Sequence, residues 1–128
     1  MVSMRTMRTL RVRWLVPLAT LLLGAGAVGA AAEWPLGGTL ELRGATIVDP
    51  PPGERGDTHA SFVVEGEPAR RLYEALRVPE IEDLCEGEGG RLKRVGNLAC
   101  TRNADASRHE CDFAIDLTRG TLELGRVC

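Results

Sequence analysis

The stretch RHECDFAIDL, residues 108–117, decides the fold of this 128-residue chain. Apolar side chains stand at every second position from Cys111 to Leu117, and this period of two is typical of a β-strand with one buried face. The residues between them include Asp112 and Asp116, which the same pattern places on the solvent side of the strand. The stretch therefore predicts a sheet that is covered on one side.

A second strand precedes this one. Residues 95–102 are predicted to be extended, and the polar residues 103–107 form a turn of ordinary hairpin length. Folding the hairpin about its midpoint places Cys100 opposite Cys111, at a separation that a disulfide can span. A further strand follows a turn at residues 118–120, so the last third of the chain is predicted to be an antiparallel β-meander.

The cysteines are Cys85, Cys100, Cys111 and Cys128. They contain no Cys-x-x-Cys spacing, which disfavours a thioredoxin-type redox motif and a zinc knuckle. An even number in a small exported chain predicts two disulfides, Cys100–Cys111 from the hairpin and Cys85–Cys128 from the remaining pair. Because the hairpin already holds Cys100 beside Cys111, we expect the loss of that bridge to cost less stability than the loss of Cys85–Cys128.

Residues 68–77 carry the pattern of an amphipathic helix. Ala69, Leu72, Tyr73 and Leu76 fall at positions i, i+3, i+4 and i+7, which form one apolar stripe. A proline suits the first turn, and another proline ends the helix. We expect this stripe to cover the apolar face of the meander, which makes the predicted fold class α+β: one helix on a small antiparallel sheet.

Residues 33–59 are predicted to hold short strands and a proline-rich loop. Leu40 and Leu42 alternate with polar neighbours, which fits either a hairpin or a single edge strand. Residues 49–58 form an irregular loop that is either simply solvated or a recognition loop stiffened before binding. Three consecutive prolines supply the stiffness: Pro50, Pro51 and Pro52.

Residues 80–90 form an acidic, glycine-rich segment, which we call the acidic loop. Its five carboxylates are those of Glu80, Glu82, Asp83, Glu86 and Glu88. Their spacing does not match a twelve-residue calcium loop, so metal binding is the weaker interpretation. A solvated loop whose Ile81 and Leu84 reach the core is the simpler one. The loop also offers a charged contact to a positively charged protein.

The first 32 residues have the order of a secretory signal peptide. Four arginines precede an apolar stretch at residues 14–23, which is too short to span a bilayer comfortably. We expect cleavage after Ala32, with Ala30 as the alternative. A membrane anchor, with the apolar stretch extended through Val28, is the competing interpretation. No cysteine and no pair of adjacent arginines stands in this region, which disfavours a lipoprotein and twin-arginine export.

Removal of residues 1–32 leaves one predicted domain, residues 33–128, of which residues 60–128 form the disulfide-stapled α+β part. Four of the chain's 16 Lys and Arg lie in the leader, so 12 basic residues face 18 acidic ones, a net charge of −6. Nucleic acids and anionic membranes are therefore poor partners. We expect a periplasmic or secreted protein, exported through a Sec-type signal, with no stable membrane anchor after cleavage.

The exported part offers few catalytic groups. Its serines, Ser61 and Ser107, lie outside any Gly-x-Ser-x-Gly setting. His59 and His109 are predicted to be surface residues rather than ligands. The aspartates of residues 108–117 would suit glycosidase chemistry, but they are expected on the solvent face of a strand. We therefore expect no enzymatic activity, no bound metal and no cofactor.

We expect a non-catalytic protein-binding module, such as an inhibitor or antagonist of an envelope enzyme. The expected architecture resembles small secreted inhibitor proteins, including periplasmic inhibitors of lysozyme, and this resemblance assigns no residue here. The negative charge favours a basic protein as the partner. A structural or stress-tolerance component of the envelope is the alternative, and it predicts a surface without a large apolar patch or concave pocket. Metal or small-ligand binding by the acidic loop is a weaker alternative.

Overall fold

A computed structural model describes residues 31–127. In this range the chain forms one α-helix and a seven-stranded sheet in which every pairing is antiparallel. The fold is therefore mostly β, with the single helix that the sequence pattern predicts. The elements are β1 (Gly37–Arg43), β2 (His59–Glu65), α1 (Glu67–Ala75), β3 (Ile81–Glu82), β4 (Arg91–Val95), β5 (Leu98–Arg102), β6 (His109–Asp116) and β7 (Thr121–Glu123).

Strand β6 is the centre of the sheet. It pairs with β2 along one side, and on its other side with β5 through its first half and with β7 through its second half. β1 lies outside β2 at one edge, while β4 and β3 continue the sheet beyond β5. The strand with the clearest period-two pattern therefore has neighbours on both sides, and the sheet is larger than the predicted meander.

The predicted hairpin around the two central cysteines is confirmed. Strand β5 pairs with β6 so that Cys100 lies opposite Cys111, and a disulfide joins the two residues. The first strand begins later than predicted, at Leu98, because Gly96 and Asn97 turn the chain back from β4. Gly96 has a φ of 56°, which glycine adopts without strain, and a Gly-Asn pair between two strands is a recognised hairpin signal.

Helix α1 lies close to the helix predicted at residues 68–77. It starts one residue earlier and ends two residues earlier, where Leu76 is extended and its N–H donates to the carbonyl of Leu72. In the first turn, Glu67 accepts hydrogen bonds from two arginines one turn further on. These donors hold the pKa of Glu67 at about 2, below its ordinary value, and the negative charge favours the helix N-terminus.

The hydrophobic core is small and lies between α1 and the sheet. Ala69 and Tyr73 of the helix pack against Cys100 and Cys111, whose side chains are fully buried. The helical stripe thus covers the face of the sheet that carries Cys111, as predicted. Four partly buried apolar residues complete the core: Val64, Leu72, Leu76 and Leu98.

Two predictions fall outside the described residues. One is the body of the signal peptide, residues 1–30, and the other is the Cys85–Cys128 disulfide, because Cys128 is not described. None of the cysteines within residues 31–127 is a free thiol. No helix in this range is long and apolar enough to cross a membrane. The Cys100–Cys111 disulfide indicates an oxidising environment of the kind that exported proteins meet.

Candidate functional site

Strands β1, β2, β6 and β7 place six large apolar side chains on one face of the sheet. Strand pairing aligns them in two neighbouring rows. Because side chains two positions apart on a strand share a face, both rows project to the same side as Cys111 and α1. The rows are Leu40–Phe62–Phe113 and Leu42–Ala60–Ile115–Leu122, and we call their six large residues the open face.

The open face is accessible to solvent. Leu40 is 61% exposed and Leu42 is 57% exposed, while the two phenylalanines are partly buried. Helix α1 is nine residues long and packs over the next row of the sheet, at Val64 and Cys111. One short helix therefore covers only part of this side of the sheet.

Phe62 and Phe113, the only phenylalanines of the chain, stack within the open face. Their ring centroids are 5.1 Å apart and their planes differ by 15°. Aromatic side chains usually dominate a core, but here the core is filled by Tyr73 and the disulfide. Contiguous apolar patches on a monomer commonly mark an interaction site, so the open face is a candidate docking surface.

The centre of the opposite side of the sheet, on β2 and β6, carries polar residues that are buried. Asp112 is 6% exposed and Asp116 is 4% exposed, so the prediction that they face solvent is wrong. The chain after β7 folds back over this side, and a Cβ on Gly125 would lie 2.6 Å from the backbone nitrogen of Phe113. The N–H of Arg126 donates to Asp112 Oδ1 at 3.2 Å. Burial beneath this tail raises the pKa of the Asp112 carboxyl.

Asp116 organises the turn between β6 and β7. Its carboxylate accepts hydrogen bonds from the N–H and hydroxyl of Thr118 and from the N–H and guanidinium of Arg119. These donors hold the pKa of Asp116 well below its ordinary value. His59 Nε2 lies 3.8 Å from Asp116 Oδ2, and His59 Nδ1 lies 2.9 Å from the Thr58 hydroxyl. The contacts of Asp116 are those of a structural residue.

Both histidines are buried, so the prediction that they lie on the surface is wrong. His109 packs edge-on against Tyr73 with ring centroids 5.4 Å apart, and burial lowers the pKa of its imidazole. Ser61 shares a side of the sheet with His59, but its hydroxyl accepts a hydrogen bond from Arg43 Nε at 2.7 Å. The same hydroxyl donates to a backbone carbonyl of the C-terminal tail. Ser61 and His59 therefore have separate partners.

The proline-rich loop lies at the surface, and its three prolines are exposed: Pro50, Pro51 and Pro52. Glu54 closes the loop, because its Oε1 accepts hydrogen bonds from the hydroxyl of Thr46 at 2.8 Å and from its N–H at 3.2 Å. The N–H of Glu54 also donates to the carbonyl oxygen of Pro51 at 3.1 Å, while the proline rings stay exposed.

The acidic loop is more fully paired than its composition suggests. Glu80 pairs with Arg102 at 3.1 Å, and Glu86 pairs with Arg108. The neighbouring guanidinium holds the pKa of Glu80 below its ordinary value. Such pairs reduce the charge that the loop offers to a basic protein. Two of its carboxylates stay exposed without an ion-pair partner in residues 31–127: Glu82 and Glu88.

Asp83 is the buried carboxylate of the acidic loop, and its Oδ1 accepts a hydrogen bond from the N–H of Cys85 at 3.0 Å. The apolar residues beside it point outward, since Ile81 is 56% exposed and Leu84 is 84% exposed. The prediction that they reach the core is therefore wrong. Across the described range, no three His, Cys, Asp or Glu side chains are grouped so that they could hold a metal ion.

No protein-family model, curated protein or solved structure matches this chain. Its function is therefore inferred from the geometry of residues 31–127. In that range the open face is a group of neighbouring apolar side chains that the helix leaves partly or largely exposed. Sequence spacing predicted extended segments at the positions of β1, β6 and β7, but not that the face would stay uncovered.

Proposed function

We propose that the chain is a non-catalytic module that binds another protein through the open face. The observation that carries this proposal is the Phe62–Phe113 stack, which lies beside the exposed Leu40 and Leu42. Burying apolar surface is favourable by about 25 cal/mol per Å². Aromatic residues surrounded by aliphatic ones are also the composition that interface centres favour.

Strand β1 adds a second means of recognition. It is an edge strand of seven residues, and among the described strands it pairs only with β2. A free edge of this length offers backbone N–H and C=O groups to an extended segment of a partner. Leu40 and Leu42 project from β1 into the open face, so an added strand would bring its own apolar side chains next to them.

The charge of the exported part favours a basic partner. Residues 33–128 carry a net charge of −6. Attraction between opposite charges raises the association rate, while apolar contact at the open face slows dissociation. Glu82 and Glu88 contribute directly to this attraction because they have no ion-pair partner in the described range.

We place this module in the periplasm or outside the cell, as an inhibitor or antagonist of an envelope enzyme. The buried disulfide supports an exported location, because such bonds persist in oxidising compartments. The alternative, a structural envelope component with no discrete ligand, predicts a surface without a large apolar patch. The open face therefore favours protein binding over that alternative.

Affinity capture with two matched variants tests this function. Leu40→Ser with Leu42→Ser alters the open face, whereas Thr39→Ser with Glu41→Gln alters the same strand on the opposite side. We expect the wild type and the second variant to retain the same envelope proteins from a cell extract, and the first variant to lose them. Thermal melts establish that all three proteins are folded.

Two ionic strengths separate the contributions of charge and apolar contact. We expect a higher salt concentration to slow association with the captured partner and to leave the effect of the leucine substitutions unchanged. The proposal would be overturned if the leucine variant and the Thr39→Ser, Glu41→Gln variant captured the same amount of partner protein. It would also be overturned if the wild type captured no partner at either ionic strength.

A further inference from the structure

Helix α1 runs across the strands of the sheet, along the row of side chains next to the open face. It begins two residues after β2 and packs on Cys111 of β6 and Cys100 of β5. At its C-terminal end, the ammonium group of Lys93 in β4 donates to the carbonyl oxygens of Tyr73 and Leu76, each at 3.1 Å. The helix therefore follows the same direction as the rows of the open face, which lie uncovered along one side of it.

The flank of α1 that borders the open face is apolar. On the other flank, Arg70 lines a hollow together with His109 and Glu110, which lie at the end of β6 away from the open face. Successive residues of a helix are about 100° apart around its axis, which identifies the residues opposite Arg70. They are Pro68, Leu72 and Ala75. The open face is thus bordered by an apolar wall, and Ala75 of this wall is exposed.

The space beside α1 has the dimensions of one more helix. Side chains that share a face of a strand are about 7 Å apart, so the two rows of the open face lie about 7 and about 14 Å from the row beneath α1. Packed helices have axes about 8–10 Å apart, so the axis of a second helix would lie between the two rows and its side chains would touch both. The strands β1, β2, β6 and β7 span about 14 Å, which corresponds to about ten helical residues.

We propose that the open face binds an amphipathic α-helix of the partner protein, which packs beside α1 with its apolar stripe on Phe62 and Phe113. This inference rests on the proposed function. An extended segment added to β1 alone would contact Leu40 and Leu42 but would not reach Phe113, which lies two strands further in. A helix would cover both rows and the apolar flank of α1. Because residues 33–128 carry a net charge of −6, we expect the outer face of this helix to be basic.

Two peptides of about 14 residues test the shape of the ligand by titration calorimetry on the folded protein. Both contain equal numbers of leucines and lysines. In the helical peptide the leucines follow the spacing i, i+3, i+4 and i+7, and in the alternating peptide leucine and lysine alternate as in a strand. We expect saturable binding of the helical peptide with a gain in its helical circular dichroism, and at least about tenfold weaker binding of the alternating peptide. The inference would be overturned by equally tight binding of the alternating peptide, or by no saturable binding of the helical one.

Two substitutions on α1 locate the helical peptide. Ala75→Lys places a charged side chain on the apolar flank, whereas Glu74→Gln alters the other flank and changes the net charge by the same amount. We expect Ala75→Lys to weaken binding of the helical peptide by about tenfold or more, and Glu74→Gln to change it by less than about twofold. Both positions are exposed, and thermal melts establish that the variants are folded. Equal binding by the two variants would contradict a helix beside α1.

The leucine variant, Leu40→Ser with Leu42→Ser, separates this inference from the proposed function. If it loses the captured partner protein while Ala75→Lys retains that partner fully, the open face binds a protein in a form other than a helix beside α1. This result would overturn the inference and leave the proposed function standing. If the leucine variant retains the partner, the proposed function itself fails. We expect both variants to lose the partner, and Glu74→Gln to retain it.

Discussion

Cys100 and Cys111 lie directly opposite each other in β5 and β6, with their Cα atoms 4.0 Å apart and both side chains fully buried. The sulfur of Cys111 is 3.5 Å from the carbonyl oxygen of Ala69 in α1. The two cysteines are the largest fully buried side chains in the described range. This disulfide is therefore both a cross-link and the centre of the core.

Replacing Cys100 and Cys111 together by Ala should lower the free energy of unfolding by about 3–5 kcal/mol. The variant loses the cross-link and also leaves a void under α1. The sequence alone predicts a smaller cost for the loss of this disulfide, because burial under the helix is not visible in the sequence. Urea unfolding at one pH measures the difference. A double variant as stable as the wild type would show that the hairpin and helix hold together without the bridge.

Tyr73 provides a pH-dependent test of the packing of α1. Burial, together with the hydrogen bond that its hydroxyl donates to Glu80 at 2.9 Å, raises the pKa of Tyr73 to about 12. Because the unfolded state loses this proton at a lower pH than the folded state, stability is full below about pH 10 and falls as the pH rises toward 12. We expect a loss of roughly 2–3 kcal/mol over that window.

Urea unfolding across this pH window measures the loss, and Tyr73→Phe is the control. Tyr73 is the only tyrosine of the chain, so an ultraviolet absorbance titration reports its ionisation directly. The phenylalanine variant should show a clearly smaller decline of stability with pH. Equal declines in the two proteins, or an ordinary tyrosine pKa, would contradict the packing described here.

Gly125 allows the C-terminal tail to lie against β6. A Cβ there would meet the backbone nitrogen of Phe113 at 2.6 Å and Asp112 Oδ1 at 2.8 Å. We expect Gly125→Ala to cost about 1–3 kcal/mol, because the tail must move away from the sheet. Gly56→Ala is the matched control, since a Cβ at Gly56 meets nothing within 4 Å. Chemical denaturation measures the free energy of unfolding of both variants. A similar change in the two variants would mean that the tail tolerates a side chain at residue 125.

Leu72 tests whether the helical stripe is packed. It is partly buried and contacts the core, so Leu72→Ala should cost about 2 kcal/mol, at the low end for a buried leucine. Arg77→Ala, at an exposed position beyond the helix, should change stability by no more than about 0.5 kcal/mol. Thermal melts compare the stability of the two variants. If Leu72→Ala lost no more stability than the control, the apolar stripe of the helix would be exposed to solvent rather than packed.

Elements whose partners lie nearby in the chain were predictable from local patterns. The helix followed from its 3.6-residue period, and the Cys100–Cys111 pairing followed from a period of two around a polar turn. The alternation of Leu40 and Leu42 predicted either a hairpin or an edge strand, and the structure has the edge strand β1 there. In each case the spacing of apolar side chains along the sequence indicates which of them share a face. A short connection also limits which neighbouring element a strand or helix can pack against.

The burial of polar residues depended on contacts between distant parts of the chain. Asp112 and Asp116 alternate with apolar residues, a pattern typical of a solvent face. Asp112 is buried because the C-terminal tail returns across that side of the sheet and donates to it. Asp116 is buried at the turn after β6, where Thr118 and Arg119 donate to its carboxylate. In the acidic loop, Asp83 is buried while Leu84 is exposed. The composition of the loop does not predict this, because a short loop can turn either side chain towards the core.

The sequence by itself determined one amphipathic helix, a central β-hairpin with a cross-strand disulfide, and the excess of acidic over basic residues in residues 33–128. Only the tertiary structure decided what lies on each face of the sheet. Helix α1 covers the disulfide and leaves Phe62 and Phe113 accessible, because the pairing of β2 with β6 sets where the helix begins. A hydrophobic pattern predicts which side chains lie on the same face of a helix or strand. Whether they are covered depends on the length and position of the element opposite them, which non-local contacts determine.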